Sequence, residues 1–208
     1  MTKQNRLCLF CVVLGSVLFF VRPLHADLLV SSLATHSILR YTDDGDFIEA
    51  FVPGQAGSTP GPLLYPGGMA VGPDGNLYVA SRGNSSVLRY EWPTGNFLGS
   101  FTLGGGLGLI PDIVFGLDDN LYVGSDGGVK KFDGSTGQYL GDFVPEAEAL
   151  TYLTFGPDGN LYGSTPNNIG VVNRYDGGDG SFIDEFVTSS AAENSKPGGL
   201  ARIFHPLV

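Results

Sequence analysis

A repeat of about 43 residues is the feature that most constrains what this chain folds into. Each copy holds three apolar segments: one with a Leu-Tyr pair or its equivalent, one ending in an aromatic residue, and one that follows a Gly and leads to a Phe. The Tyr of the first segment recurs as Tyr78, Tyr122 and Tyr162. This spacing predicts a small supersecondary unit that is stacked several times along the chain.

Turn residues divide each copy into short strands. Pro73–Asn76 and Pro157–Asn160 place Pro at the first corner of a turn and Gly where a positive φ is required, and Asp119 takes the place of that Gly in the third copy. Four antiparallel strands at this period predict an all-β fold, the β-propeller. In the second copy the predicted strands are Met69–Val71, Leu77–Ala80, Val87–Tyr90 and Phe97–Thr102.

The copies divide the chain into units of about 27–65, 66–110, 111–150 and 151–196. The first unit begins at its second strand, whereas Pro197–Ala201 repeats Pro66–Ala70, the start of the second unit. We therefore expect residues 197–204 to form a closing strand that completes the first blade, giving a closed ring of four four-stranded blades.

Residues 1–26 have the pattern of a secretory signal peptide. Lys3 and Arg6 precede the apolar run Leu7–Val21, and the small residue Ala26 precedes a change in polarity. The run is shorter than the roughly 20 residues that span a bilayer. We expect cleavage after residue 26 and a secreted or periplasmic domain at 27–208, with an uncleaved anchor as the alternative.

The charge of the chain excludes some classes of partner. It has 21 acidic and 11 basic residues, a net charge of −10, and all the acidic residues follow the leader. Such a domain repels phosphate backbones and anionic lipid surfaces, so we expect no nucleic-acid partner and no membrane association after cleavage. Both cysteines, Cys8 and Cys11, lie inside the leader, which leaves the mature domain without a disulfide or thiolate metal site.

The segment Pro66–Ala80, PGGMAVGPDGNLYVA, resembles the NHL-repeat group of β-propellers. That group belongs to the six-bladed, TolB-like superfamily, which includes gluconolactonase-like enzymes and streptogramin-lyase-like proteins. The resemblance covers nearly all of residues 27–204 and implies the propeller fold, but it implies little about activity because fold and function separate in such superfamilies. Four units stand where six are usual, so a truncated part of a six-bladed propeller is the alternative to the closed ring.

Positions that differ between the copies are candidates for a ligand site, since positions common to all copies serve the packing of the blades. The slot that opens the innermost strand holds Gly in two copies, but Asp112 and Tyr152 in the others. Loops between the second and third strands lie at the same face of a propeller and carry further polar residues. The predicted ligand-binding residues are Asp112, Tyr152, Arg82, Asp126, Asn84 and His36, with solvated loop residues as the alternative.

Metal and catalytic chemistry find little support in the residues. Asp43–Asp46 and Asp176–Gly180 carry oxygen ligands that suit Ca²⁺, but neither has the spacing of a full calcium loop, and no other cofactor is predicted. The resemblance implies a metal held by Glu, Asn and Asp in a gluconolactonase-like enzyme. Asp112 matches the Asp, and Glu146 and Glu148 are the nearby glutamates. No pair of residues suited to acid–base catalysis stands out, so no catalytic residue is predicted.

These observations favour an exported propeller that acts as a binding module for a protein or carbohydrate partner, without catalysis of its own. Its rigid blades would hold variable loops at one face. Two alternatives stay open at this point: a metal-dependent, lactonase-like hydrolase, and a truncated propeller with no independent function.

Overall fold

The structure is a computed structural model that describes residues 27–54, 63–145, 150–164 and 171–188. These ranges contain four antiparallel sheets, and their one helical segment is the 3-10 turn Arg82–Asn84. No helix in them is long and apolar enough to cross a membrane. The predicted signal peptide, residues 1–26, and the predicted closing strand, residues 197–204, lie outside the described residues.

Each sheet is one blade, and its strands are hydrogen-bonded in chain order. Blades one and two consist of β1 (Leu28–Ser32), β2 (Ser37–Tyr41) and β3 (Phe47–Val52), and of β4 (Pro66–Val71), β5 (Leu77–Ser81), β6 (Ser86–Tyr90) and β7 (Phe97–Ser100). Blades three and four consist of β8 (Ile113–Phe115), β9 (Leu121–Ser125), β10 (Gly128–Phe132) and β11 (Tyr139–Pro145), and of β12 (Tyr152–Phe155), β13 (Leu161–Ser164), β14 (Val172–Tyr175) and β15 (Phe182–Val187).

The predicted all-β propeller architecture is confirmed: the units from 66 onward each form a four-stranded antiparallel blade. Blade one shows three strands in the described residues, and β1 is at the edge of its sheet. Strand limits differ slightly from the prediction. β4 begins at Pro66, three residues early, because Pro66 already pairs with Ser81 across the bulge that Gly67 and Gly68 create. β7 ends at Ser100 instead of Thr102.

The apolar core lies between the blades, in three separate layers. Between blades two and three, Tyr78, Val87 and Phe101 pack against Ile113 and Val123, all less than 7% exposed. Equivalent layers join blade one to blade two and blade three to blade four. The fold is therefore held by successive blade-to-blade contacts, as in other repeat architectures.

The recurring Tyr and Phe residues form the centre of the two layers on either side of blade three. The ring of Tyr78 lies 4.8 Å from that of Phe101 in its own blade and 5.0 Å from that of Phe115 in the next blade, both in edge-to-face geometry. Tyr122 repeats the arrangement with Phe143 and Phe155, at 4.7 and 4.9 Å. Such pairs contribute about 0.5–1.5 kcal/mol each beyond the burial of their area.

The hydroxyl of the buried Tyr is bound to an Asp in the turn that precedes its strand. Tyr122 donates to Asp118 Oδ2 at 3.0 Å, and Lys131 Nζ lies 2.8 Å from the same oxygen. Burial favours the neutral carboxyl, but the hydrogen bonds from Lys131, Asn120 and Tyr122 outweigh it and lower the pKa of Asp118 to about 2. The hydroxyls of Tyr78 and Tyr122 are thus satisfied at the rim of their layers.

Close backbone contacts set the distance between neighbouring blades. A Cβ on Gly137, in the turn before β11, would lie 1.9 Å from the carbonyl oxygen of Phe101 in blade two. The same residue has a φ of +74°, so glycine is required there for two reasons. Gly95 and Gly180 repeat the contact against Phe51 and Phe143.

The two outermost blade faces differ from the inner ones. Phe186 in β15 is 56% exposed, whereas its equivalents Phe51, Phe101 and Phe143 are at most 6% exposed. In β1, Leu28 is 57% exposed, whereas Leu77 in the equivalent strand is 2% exposed. Two apolar blade faces are therefore open at the ends of the described array.

Replacing Phe101 by Ala should lower the free energy of unfolding by about 3–5 kcal/mol, because it removes a buried ring from the layer between blades two and three. The matched control Phe186→Ala should cost less than about 1 kcal/mol, because that ring is already mostly in solvent. Urea unfolding followed by circular dichroism measures both. An equal cost for the two variants would contradict the open outer face of blade four.

Candidate functional site

One face of the array collects the loops that vary most between the blades. The innermost strand of a blade starts where the second strand ends, as the pairs Pro66–Ser81 and Tyr152–Ser164 show. The loops before the innermost strands and the loops between second and third strands therefore lie together. We call this side the loop face; all six predicted ligand-binding residues lie on it.

The loop face contains an open, mostly apolar pocket of about 640 Å³ where blades one, two and three meet. Three of its apolar side chains are well exposed: Leu33 at 48%, Tyr65 at 55% and Leu109 at 44%. The volume is typical of ligand-binding clefts. In the described part of the chain this apolar pocket is lined by Leu33, Ala34, Tyr65, Arg82, Gly83 and Leu109.

Hydrogen bonds made by backbone amides fix the two loops of blade two that border the apolar pocket. The amide of Leu64 donates to Ser81 Oγ at 3.0 Å, and the amide of Gly83 donates to the carbonyl of Leu64 at 3.0 Å. The amide of Arg82 donates to the carbonyl of Tyr65 at 3.3 Å. The loop before β4 and the 3-10 turn after β5 are therefore held together, and they place Tyr65 and Arg82 side by side at the pocket.

His36 positions Tyr65 from the neighbouring blade. The amide of Tyr65 donates to His36 Nδ1 at 2.9 Å, and the two rings meet edge to face at 4.4 Å. Both residues have positive φ values, 52° for His36 and 50° for Tyr65, which are uncommon for non-glycine residues. His36 thus contacts a residue that lines the apolar pocket, and its Nδ1 is already occupied.

Asp126 has the corresponding role in blade three. Its Oδ2 accepts the amide hydrogen of Leu109 at 3.0 Å, which holds that residue at the pocket. Asp126 follows Ser125 at the end of β9, just as Arg82 follows Ser81 and Leu33 follows Ser32. These three residues therefore occupy the same slot in successive blades.

Asp112 lies deeper, between the innermost strands of three blades. Its Oδ2 accepts the amide of Leu153 in blade four at 2.9 Å, and its Oδ1 accepts its neighbour Ile113 at 2.9 Å. On the other side, a Cβ on Gly68 of blade two would lie 1.7 Å from Oδ1, so a side chain there would displace the carboxylate. Removal from water raises the pKa of Asp112 to about 6, although both amides favour the charged form.

Tyr152 and Asn84 complete the predicted set. Tyr152 opens β12 and is half-buried, and the residue after it donates its amide to Asp112. Asn84 ends the 3-10 turn Arg82–Asn84 and is exposed beside Gly83 of the pocket. Of the six predicted residues, Arg82 lines the apolar pocket, His36 and Asp126 hold residues that line it, and Asp112 and Tyr152 belong to the innermost strands.

The described residues contain no group of three His, Cys, Asp or Glu side chains that could hold a metal ion. In the turn Asp176–Gly180, Asp176 Oδ1 accepts the amides of Gly178 and Asp179, as is usual for such turns. Asp43–Asp46 lies in the equivalent exposed turn of blade one. Glu146 and Glu148, the nearby glutamates considered for a lactonase-like metal site, lie outside the described residues.

Sequence reasoning missed the apolar lining of the pocket, because it searched the loops for polar outliers. The sequence could have indicated Leu33, because it is the apolar exception at a position that holds Arg82 and Asp126 in blades two and three. Tyr65 and Leu109 had no comparable signal, because they come from loops of different length and sequence.

No protein-family model matches the sequence, and no curated protein matches it either. Solved structures do match the fold. A catalytically inactive virginiamycin B lyase from Staphylococcus aureus with quinupristin has a TM-score of 0.58 and 18% identity, covering 76% of this chain and 50% of that one. A gluconolactonase from Xanthomonas campestris has a TM-score of 0.61 and 16% identity, covering 76% and 57%.

A third match, the hydrazine synthase of Kuenenia stuttgartiensis, has a TM-score of 0.60 and 18% identity, covering 77% of this chain and 46% of that one. The chain thus spans about half the length of the structures it resembles. The lyase and the gluconolactonase represent the two groups to which the sequence resemblance pointed. At these identities the likeness shows the propeller fold alone, and the three names describe different chemistries.

Replacing Asp112 by Asn should remove part of the pH dependence of stability. The pKa of this carboxyl is about 6 in the fold, above its ordinary value of about 4. Between these two pH values the unfolded chain ionises the carboxyl while the fold keeps it protonated, so the folded state loses stability as the pH rises. When the pH is raised from 4 to 7, the free energy of unfolding should fall by roughly 2–3 kcal/mol more in the wild type than in the variant. Urea unfolding at pH 4 and pH 7 measures this difference.

The control for this experiment is Asp126→Asn, which keeps an acceptor oxygen for Leu109 and leaves Asp112 intact. It should retain the contribution that Asp112 makes to the pH dependence. Identical pH profiles for the wild type and Asp112→Asn would show that the inner-strand carboxyl does not titrate in this range.

Proposed function

We propose that the chain is an exported propeller of the NHL-like kind that acts as a binding module through its loop face. The observation that carries the proposal is the apolar pocket between blades one, two and three. Exposed apolar side chains gathered in a concave site are typical of surfaces that bind a ligand or partner.

The pocket favours an apolar group as its occupant. Leu33, Tyr65 and Leu109 together expose apolar surface that a partner would remove from water, at about 25 cal/mol per Å² of buried area. Aliphatic lining suits an apolar side chain of a protein partner. A carbohydrate partner is the second expectation from the sequence, and it would use Tyr65, the aromatic ring at this site, as a stacking surface.

The pocket is built on fixed backbone, which suits a binding role. Hydrogen bonds from Leu64, Gly83 and Tyr65 tie its loops to each other and to His36 of the next blade. A preorganised site loses less conformational entropy when a partner binds. Stacked blades under the loops provide the rigid support.

The lactonase-like hydrolase is the alternative that the fold suggests. It would require a metal near Asp112, the residue that the resemblance indicates. Both carboxylate oxygens of Asp112 already accept backbone amides, and its side chain is partly buried between strands. This geometry favours a structural role for Asp112, so we place binding at the apolar pocket ahead of hydrolysis. A truncated propeller without independent function would lack specific binding there.

Blocking the pocket should abolish the binding of a neutral apolar probe such as Nile red. Ala34→Trp fills the cavity with an indole and should weaken Nile red binding at least tenfold, and Leu109→Ser should weaken it several-fold. Fluorescence titration of the purified protein measures both effects.

The matched control is Leu117→Ser. Leu117 is 76% exposed but lies in the turn before β9, on the opposite side from the loop face. Its replacement should leave Nile red binding unchanged. If all three variants bind the probe like the wild type, the probe binds elsewhere and the proposed site is wrong.

A further inference from the structure

Arg82 differs from the other cationic side chains of the described residues. Six Lys and Arg side chains fall within those ranges, and five of them lie within 4.0 Å of a carboxylate: Arg40, Arg89, Lys130, Lys131 and Arg174. Arg82 has no such partner there. The chain has 21 acidic and 11 basic residues, so a guanidinium with no carboxylate within 4.0 Å among the described residues is unusual.

Arg82 is one of the residues that line the apolar pocket. Its backbone is fixed by the hydrogen bond to Tyr65, and its neighbours in the pocket are Leu33, Ala34 and Leu109. Apolar surroundings lower the local dielectric and strengthen the attraction between a cation and an incoming anion. The site therefore offers an apolar cavity with one positive group at its side.

We propose that the apolar pocket binds a ligand whose apolar body carries a carboxylate, with Arg82 as the specificity-determining residue; this rests on the proposed function. A guanidinium presents a planar fork of N–H donors that matches the two oxygens of a carboxylate. The apolar body occupies the space between Leu33, Tyr65 and Leu109. A peptide ending in an apolar residue and a free amphipathic acid share this chemistry.

Because the whole chain is negatively charged, a preference for an acid over its neutral analogue would indicate a cation at the site. A net charge of −10 repels anions at long range, so a general electrostatic effect would favour the neutral member of any acid–neutral pair. Tighter binding of the acid therefore requires a local cation, and in the described pocket that cation is Arg82.

The experiment compares pyrenebutyric acid with pyrenebutanol, which share an apolar body and differ in the carboxylate. At pH 7.5 and low salt, the wild type should bind the acid about tenfold more tightly than the alcohol. Arg82→Gln should reduce this ratio to near one, chiefly by weakening the binding of the acid. Arg82→Lys should retain part of the preference, because it keeps the charge but not the fork.

The control is Lys130→Gln, which removes the same charge from a side chain paired with Asp142 in blade three. It should leave the ratio at the wild-type value. Equal binding of both probes by the wild type, or an unchanged ratio in Arg82→Gln, would overturn the role of Arg82 while leaving the pocket in place. If Ala34→Trp affects neither probe, it is the proposed binding site itself that fails.

Two competitors identify the source of the carboxylate. A short peptide ending in Leu should displace pyrenebutyric acid when its terminus is free, and should lose this ability when the terminus is amidated. Displacement by dodecanoate without displacement by the peptide would assign the site to small amphipathic acids. Failure of both competitors to displace the probe would overturn the ligand class.

Discussion

The edge-to-face contact between a buried Tyr and two Phe rings is the interaction on which the rest of this structure depends. Tyr78 contacts Phe101 within its blade and Phe115 in the next, so one side chain links strands of two sheets. Its hydroxyl is bound by Asp74 in the adjoining turn, at 3.2 Å. Tyr122 repeats this contact with Phe143 and Phe155, so blades two, three and four stack in a constant orientation.

The loop face exists because the blades stack in this constant orientation. Once the blades are stacked, the starts of β4, β8 and β12 lie side by side, and their loops converge. Asp112 shows how closely these strands approach, since its carboxylate lies between Gly68 and the amide of Leu153. The packing layers and the variable loops are therefore separate parts of one repeated unit, and the loops can differ without altering the aromatic contacts.

The repeat made most of the fold predictable, because the period, the turns and the strand pattern are local properties of the sequence. Asp119 adopts the positive φ, 60°, that its place in the turn required. The site was less predictable, because residues from four loops create it. Leu33, Tyr65 and Leu109 meet only after the blades stack, and their apolar character resembles that of core residues in the sequence. The acceptor role of Asp112 likewise depends on a strand 41 residues further along the chain.

The serine that ends the second strand of each blade has a consequence for how such a protein diversifies. Ser81, Ser125 and Ser164 are almost fully buried, and the hydroxyl of Ser125 binds the carbonyl of Gly128. The next residue, in contrast, faces outward and changes from Leu33 to Arg82 to Asp126: aliphatic, cationic and anionic in turn. In blades one to three, this variable position next to a strand-ending serine lets single substitutions change the side-chain chemistry of the loop face while the strands beneath it stay the same.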